Sequence, residues 1–197
     1  MVKTSRMLQE ELSQYTDSFG KIKRLVDEGK LVLLKKGIYD TDSSRPGYLF
    51  SPVIYGPSYL SFDYALSRYG LIPEAVHEYT AATFNKGKRK MYHNAFGDYS
   101  YRDVPKAAYP FEVQLFADGD YAYMMATPEK ALCDKLYTLP PVASVKEMKQ
   151  LLFENLRIDE YEFSKLNAET IEHLSELYKS NNVHYLAKTM ERIKNEH

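Results

Sequence analysis

The segment TDSFGKIKRLVDEGKLVLLKKGIY (residues 16–39) constrains this chain more than any other. A side-chain oxygen of Thr16 or Asp17 is placed to cap a helix, because it can accept hydrogen bonds from the first free backbone N–H groups. Gly29 supplies the left-handed residue that ends such a helix. The residues after Gly29 predict a tight hairpin over 31–39. A helix, a glycine stop and a basic hairpin in this order are typical of the reading half of a winged helix-turn-helix.

The predicted helix over 16–28 has two unlike faces. Its apolar residues follow the helical period and are expected to pack inward: Phe19, Ile22, Leu25 and Val26. The opposite face carries Gly20, Lys21 and Arg24, with Lys23 nearer its edge. Such a helix can bring its N-terminal half and three cations to a major groove. The alternative is a solvated amphipathic helix followed by an ordinary hairpin with Lys35 and Lys36 at its tip.

Composition sets only loose bounds on function. The chain has 197 residues, 44% of them hydrophobic and 27% charged, as in an ordinary globular protein. Its formal net charge is -1, so the whole molecule is not a general binder of polyanions. Residues 18–37 hold six Lys/Arg against two acidic residues, so any affinity for nucleic acid is expected to be local.

Cysteine use and hydropathy predict a cytoplasmic protein that does not enter a membrane. The single Cys133 excludes an intramolecular disulfide and a cysteine-rich zinc site. No apolar run approaches the length of about 20 residues that a transmembrane helix needs. The N-terminal sequence MVKTSRMLQEELS is polar and lacks the apolar core of a signal peptide.

The position of turn-forming residues in the sequence predicts two domains. A first helix is expected over 3–14, directly before the helix and hairpin described above. The stretch TDSSRPG (41–47) combines turn residues with Pro46 and is the best candidate for a linker. The predicted domains are therefore a winged module over 1–47 and a larger domain over 48–197.

The larger domain is expected to mix strands and helices, which makes the chain α+β. Residues 48–55 are ambiguous between helix and strand. Ser61 is expected to cap a helix, and Thr127 with Pro128 to begin another, in which Lys130 and Asp134 form a weak i,i+4 pair. Strands are predicted around 76–84, 89–95, 98–103, 111–116 and 121–126. A helical C-terminal segment is predicted over 144–155, 158–166, 168–179 and 182–195.

Enzymatic chemistry finds little support in the sequence. A magnesium-dependent nuclease would use carboxylates that converge on a strand-rich core, and the candidates are Asp118, Asp120, Glu129 and Lys130. However, the two aspartates flank Gly119 in a predicted hairpin turn, and Glu129 occupies the first turn of a helix, where its charge is favourable. No histidine pair has metal-ligand spacing, and no GxSxG or glycine-rich phosphate loop occurs. The expectation is therefore no catalytic residue, no metal and no cofactor.

One further basic segment has two readings. NKGKRK (85–90) places four cations in six residues and could contact phosphate. A solvated loop between strands explains the same composition equally well.

Two stretches resemble a known family. GPSYLSFDYALSRYGLIPE (56–74) and ATPEKALCDKLY (126–137) are similar to the signature segments of the AbiEi-type antitoxins of type IV toxin–antitoxin systems, which act in abortive infection and phage defence. TAATFNKGKRKMYHNAFGDYSYRDV between them is similar to the family's middle block. The resemblance covers approximately residues 16–137. The chain departs from the family pattern at its start, where only two helices are predicted before the wing.

The resemblance implies a cytoplasmic transcriptional repressor that binds operator DNA of its own operon. It also implies neutralisation of a nucleotidyltransferase-like toxin encoded next to it, without a tight complex between the two proteins. By the resemblance, DNA contacts are expected from Ser18, Lys21, Lys23, Arg24, Lys35 and Lys36. The signature residues of the antitoxin domain are Ser61, Tyr64, Arg68, Glu129, Lys130 and Asp134. The alternative function is a winged-helix regulator whose second domain senses a ligand or a protein.

Overall fold

A computed structural model of the chain describes residues 1–195. Within this range the protein is α+β, with nine α-helices and two β-sheets. The smaller sheet belongs to the N-terminal segment (residues 1–47). The larger sheet has six strands and is followed by a helical C-terminal part.

The N-terminal segment folds as a strand, two helices and a hairpin. Its elements are β1 (Val2–Thr4), α1 (Ser5–Glu11), α2 (Ser18–Asp27), β2 (Val32–Lys35) and β3 (Ile38–Asp40). The three strands are antiparallel in the order β1-β3-β2. The sequence did not predict β1, and the helix predicted over 3–14 is shorter than expected because Val2–Thr4 pairs with β3 instead.

The signals at both ends of α2 are confirmed. Asp17 is the N-cap, and its carboxylate accepts a hydrogen bond from the backbone N–H of Gly20 at 2.8 Å. Gly29 lies just beyond the helix with φ +69°, a backbone conformation that favours glycine. These local signals are read correctly from sequence because they depend on neighbouring residues alone.

The expected inward face of α2 is only partly correct. Ile22 is buried against Leu8 and Leu31, and Leu25 and Val26 pack against this cluster. Phe19, however, is 67% exposed, so the prediction that it packs inward is wrong. The small hydrophobic cluster under α2 does not include Phe19, which lies in the first turn of the helix.

The second part of the chain is built on the six-stranded sheet. The ambiguous residues 48–55 are helical: a 3₁₀ helix (Gly47–Phe50) leads into α3 (Ser51–Ile54). The following elements are β4 (Tyr59–Leu60), α4 (Phe62–Arg68), β5 (Tyr79–Thr83), β6 (Lys90–Asn94), β7 (Gly97–Asp103), β8 (Val113–Asp118) and β9 (Tyr121–Ala126). The sheet order is β6-β7-β5-β4-β9-β8.

All five predicted strands of this part are confirmed. The sequence missed β4, which has only two residues but joins the two halves of the sheet by pairing with β5 and β9. A strand this short carries no alternation that could be recognised in a sequence. Only the pairing partners define it.

The C-terminal part is helical, as predicted. Its elements are α5 (Pro128–Tyr137), α6 (Val145–Gln150), a π-helical turn (Leu151–Asn155), α7 (Glu160–Ser164), α8 (Ala168–Tyr178) and α9 (Asn181–Asn195). Apolar side chains of α5, α8 and α9 join those of β4 and α4 in the largest hydrophobic core of the described chain. Burying this face of the sheet under helices is what holds α5 in place.

The opposite face of the sheet contacts the N-terminal segment. Leu34 of β2 lies in a core cluster with Phe50, Ile54 and Tyr101. The buried carboxylate of Asp40 accepts a hydrogen bond from the Tyr121 hydroxyl at 2.7 Å. The division into domains 1–47 and 48–197 stays a prediction. If residues 48–197 were expressed alone, the contacts of Leu34 and Asp40 with this part would be lost.

Candidate nucleic-acid interface and the buried polar network

The exposed face of α2 carries a group of cations. Lys23 and Arg24 are exposed and Lys21 is half-buried, with its ammonium 5.2 Å from the centre of the Tyr15 ring. The only hydrogen bond of the Arg24 guanidinium within residues 1–195 goes to the carbonyl oxygen of Gly20 in its own helix, at 3.3 Å. None of the three cations forms an ion pair with any residue that the structure describes.

Other cations of the N-terminal segment are paired. Lys3 binds Glu11, Arg6 binds Glu10, Lys30 binds Glu28 and Arg45 binds Asp42, with N–O distances of 2.6, 3.1, 2.7 and 3.0 Å. The cations predicted to meet DNA on α2 thus differ from their neighbours. Glu28 at the end of α2 interacts electrostatically with Lys21 and Arg24, but no carboxylate within residues 1–195 forms an ion pair with the three cations, which leaves their donors available to a polyanion.

The two lysines of the hairpin have different surroundings. Lys36 lies in the turn between β2 and β3 and is exposed. Lys35 is the last residue of β2, and its ammonium donates a hydrogen bond to the backbone carbonyl oxygen of Ile54 at 2.6 Å. Lys35 is therefore bound to the larger part of the chain, whereas Lys36 is exposed in the turn. That either lysine contacts DNA stays a prediction. Ser18 is half-buried in the first turn of α2.

Three of the signature residues, Ser61, Lys130 and Asp134, meet in the core although they are distant in sequence. The Asp134 carboxylate accepts hydrogen bonds from Ser61 Oγ at 2.6 Å and from Tyr59 Oη at 3.0 Å. The Tyr178 hydroxyl donates to the same carboxylate and accepts from Lys130 Nζ. Lys130 Nζ is also 3.3 Å from Asp134 Oδ1. We call these five residues the Lys130–Asp134 network.

This network is sealed from solvent. Lys130 and Asp134 are both 0% exposed, so the predicted i,i+4 pair is fully buried. Its position follows from α5, which places both residues one turn apart on the side that packs against β4 and α8. Because a buried charge is costly unless paired and hydrogen-bonded, the three hydroxyls complete what the ion pair alone leaves unsatisfied.

Two tyrosines of the network and the neighbouring Cys133 have raised pKa values. Burial and the adjacent Asp134 carboxylate hold the pKa of Tyr59 and of Tyr178 well above the usual range. Burial likewise raises the pKa of the Cys133 thiol, which is 0% exposed. The thiol is therefore kept protonated and out of contact with any reagent. The network can hold α5, β4 and α8 together, but it cannot meet a substrate.

The other three signature residues do not join the network. Tyr64 is buried with its ring 5.4 Å from that of Tyr79. Arg68 is exposed near the end of α4. Glu129 accepts a hydrogen bond from the backbone N–H of Asn167, the cap residue of α8, at 2.8 Å. Of the six residues, three thus meet in one buried cluster, Tyr64 and Glu129 make contacts elsewhere, and Arg68 is exposed.

The nuclease candidates do not converge. Asp118 and Asp120 lie at the turn between β8 and β9, where Asp118 accepts a hydrogen bond from the Tyr48 hydroxyl at 2.8 Å. Glu129 and Lys130 have the structural partners described above. Within residues 1–195, no group of three or more His, Cys, Asp or Glu side chains is arranged to hold a metal ion.

Sequence reasoning missed Tyr59 and Tyr178 as partners of Asp134. Tyr59 lies inside a signature segment, but the chain has 18 tyrosines, and residue type alone does not single out one of them as a partner of Asp134. Tyr178 ends α8, which is separated from α5 by more than 30 residues. Only the packing of α8 against α5 brings the Tyr178 hydroxyl to the Lys130–Asp134 ion pair.

The comparisons with known proteins give no indication of function. A scan against protein-family models found no match, and a search of curated proteins found none either. Among the helices within residues 1–195, none combines the length and apolar character that crossing a membrane requires.

Proposed function

We propose that this chain is a DNA-binding transcriptional repressor whose residues 1–47 act as a winged helix-turn-helix. In this proposal α2 enters the major groove and the turn between β2 and β3 is the wing that contacts backbone phosphate. The observation that carries the proposal is the contrast in pairing. Lys21, Lys23, Arg24 and Lys36 form no ion pair with any residue from 1 to 195, whereas Lys3, Arg6, Lys30 and Arg45 do.

The first turn of α2 supports the same assignment. In recognition helices the N-terminal residues contact base edges. Ser18 and Phe19 occupy this turn, and a ring that is 67% exposed is suited to apolar contact with thymine methyl groups. Asp27 lies at the far end of the helix, where its charge is kept away from the groove.

We extend the proposal to the role of antitoxin that the family resemblance implies. The chain would repress its own operon and counteract a nucleotidyltransferase-like toxin encoded beside it, without a tight complex. Support comes from the signature segments, whose Ser61, Lys130 and Asp134 hold the second part of the chain together. In this proposal the signature residues stabilise the second part of the chain. The surface that neutralises the toxin is then formed by other residues of that part.

The alternative is a winged-helix regulator whose second part binds a small ligand. A recess of about 310 Å³ beside α4 and β5 favours this alternative. The two functions are not exclusive, because a repressor that binds a ligand can also neutralise a toxin.

DNA binding is tested with the DNA upstream of the chain's own gene, by fluorescence anisotropy on the full chain. The double variant Lys21→Ala/Arg24→Ala is expected to lose about 2–5 kcal/mol of binding free energy, if Arg24 reads a guanine and Lys21 a phosphate. The matched control is Arg6→Ala/Lys30→Ala, which removes the same charge from the same segment but at paired positions. Equal losses in the two variants would mean that only net charge matters, and the recognition-helix assignment would be abandoned.

The antitoxin role is tested by co-expression with the neighbouring nucleotidyltransferase. We expect the full chain to restore growth, and Lys21→Ala/Arg24→Ala to restore growth while failing to repress the promoter. Loss of protection in this variant would show that neutralisation also needs the basic face of α2. A lack of protection by the unmodified chain would rule out the antitoxin role and leave the repressor.

A further inference from the structure

A polar cleft lies on the side of the six-stranded sheet that α4 and α5 cover. Its wall includes Thr80 of β5 and Ser100 of β7, which are paired neighbours and both buried. The first turn of α4 forms its rim with Phe62, whose φ of +55° is rare for a residue with a side chain. Such strain persists where surrounding structure fixes the backbone, and it is enriched at binding sites.

Three cations surround this cleft. Lys135 of α5 is bound to Asp63 of α4, with an N–O distance of 2.7 Å. Arg102 of β7 and Arg89, which directly precedes β6, also line the cleft, and neither forms an ion pair with any residue from 1 to 195. Lys90 pairs with Tyr101 in the antiparallel β6–β7 ladder, so Arg89 and Arg102 are each one residue beyond the last pair of the ladder.

The basic segment 85–90 is thus fixed at one end of the cleft. The Asp103 carboxylate accepts hydrogen bonds from the backbone N–H groups of Lys86 and Gly87, at 2.6 and 2.7 Å. These bonds hold the loop, and the chain then returns towards the sheet at Arg89. Lys88 in the same loop is exposed and does not line the cleft.

A carboxylate inside the cleft lacks a donor. Glu78 lines the cleft, and its Oε1 atom is buried without a hydrogen-bond partner. An unsatisfied buried acceptor is unfavourable, and more so when it is charged. A ligand that presents an N–H or O–H group to this oxygen would remove that cost.

A second recess, with both polar and aliphatic walls, opens from the same place. It has a volume of about 310 Å³ and shares Asp63, Glu78 and Thr80 with the polar cleft. Its remaining walls are four aliphatic side chains, an amide and a carboxylate that is paired with Arg157: Leu66, Ile72, Val76, Leu156, Asn155 and Glu74. This volume lies at the lower end of the range for small-molecule sites, which is about 300–1,000 Å³.

We propose that the polar cleft and the adjoining recess together bind a mononucleotide. The base lies against the aliphatic walls of the recess, where Glu78 and Asn155 form hydrogen bonds with its edge. The phosphate lies at Arg89 and Arg102, because guanidinium groups bind phosphate oxygens through paired, charge-assisted hydrogen bonds. Aliphatic walls with a few polar groups, beside two guanidinium groups that form no ion pair within residues 1–195, match the two ends of a nucleotide, and no smaller anion would use both.

Binding is tested by isothermal titration of the full chain with AMP, GMP, CMP and UMP. At least one of them is expected to bind, and more tightly than inorganic phosphate or its own nucleoside. Arg102→Ala is expected to reduce the affinity for that nucleotide by about tenfold or more, because it removes a bidentate charged contact. Lys88→Ala is the matched control, with the same loss of charge in the adjoining loop, and is expected to bind normally.

A second variant separates the two ends of the site. Glu78→Gln keeps the shape of the side chain but exchanges one acceptor oxygen for a donor. This variant is expected to weaken binding of the preferred nucleotide and to leave binding of inorganic phosphate unaffected. Its unfolding temperature is expected to be unchanged.

Three results would overturn the proposal. If none of the four nucleotides binds at millimolar concentration, the site does not take this class of ligand. If phosphate binds as tightly as the nucleotides, the recess plays no part. If Lys88→Ala and Arg102→Ala weaken binding equally, the attraction is general electrostatics. None of these results bears on DNA binding by α2.

Discussion

Lysine and arginine occur on α2 and lysine on α5, yet the two helices place these side chains in opposite surroundings. On α2, Lys23 and Arg24 are exposed and form no ion pair with any part of the chain that the structure describes. On α5, Lys130 is 0% exposed and shares a carboxylate with three hydroxyl groups. An unpaired exposed charge contributes little to stability and is free to act on a partner. A paired buried charge is committed to the fold, and removing either member leaves the other stranded.

The largest effect is expected from Asp134→Ala. This change leaves Lys130 charged in the core and removes the acceptor of Ser61 Oγ and Tyr59 Oη. Breaking one side of a buried pair typically costs about 3–5 kcal/mol of unfolding free energy. Urea unfolding is the measurement, with Glu10→Ala as control, because the exposed pair of Glu10 with Arg6 is worth less than about 1 kcal/mol. A loss below about 1 kcal/mol for Asp134→Ala would contradict the role given to the network.

The next effect concerns the apolar side of α2. Ile22→Ala is expected to lower the unfolding free energy by about 2–5 kcal/mol, because it opens a cavity beside Leu8 and Leu31. Phe19→Ala is expected to change it by less than about 0.5 kcal/mol, since the ring is mostly exposed. If Phe19→Ala is as damaging as Ile22→Ala, the ring packs inward as the sequence period suggested.

Within the network, Tyr178→Phe removes only one hydroxyl. That hydroxyl connects Lys130 to Asp134, and its loss is expected to cost about 1–3 kcal/mol. Tyr161→Phe serves as the matched control, because Tyr161 is 71% exposed and its hydroxyl makes no hydrogen bond with the described residues. Equal stability of the two variants would show that the ion pair needs no bridging hydroxyl.

The smallest effect distinguishes the two lysines of the hairpin. Lys36→Ala is expected to lower the slope of log affinity against log salt by about 1, with unchanged stability, because it removes one phosphate contact. Lys35→Ala is expected to leave this slope unchanged and to cost about 1 kcal/mol of unfolding free energy, through loss of the hydrogen bond to Ile54. The reverse pattern would mean that Lys35, and not Lys36, faces the DNA.

Much of the fold was predicted correctly because its signals are local. The Asp17 cap, the Gly29 stop and the Thr127-Pro128 start of α5 each depend on neighbouring residues, and all three are confirmed. Strands β5 to β9 follow from alternation and turn residues in the same way. β1 and β4 could not be predicted, since each is too short to carry a pattern and exists only through its pairing partner.

The candidate site was predicted less completely, because surroundings cannot be read from residue type. The sequence placed Lys21, Lys23 and Arg24 on one face of a helix, which needs only the period of 100° per residue. It could not show that Lys35 donates to Ile54, because that contact depends on how β2 lies against a distant helix.

By itself, then, the sequence determined where helices and strands begin and end, which residues share a helix face, and where basic charge is concentrated. The tertiary structure decided which of those charges are exposed and which are buried, as with Arg24 and Lys130. The physical reason is that periodicity acts over one or two turns of chain. Burial depends on contacts between residues such as Ser61, Asp134 and Tyr178, which only the packing of the sheet under α5 and α8 brings together.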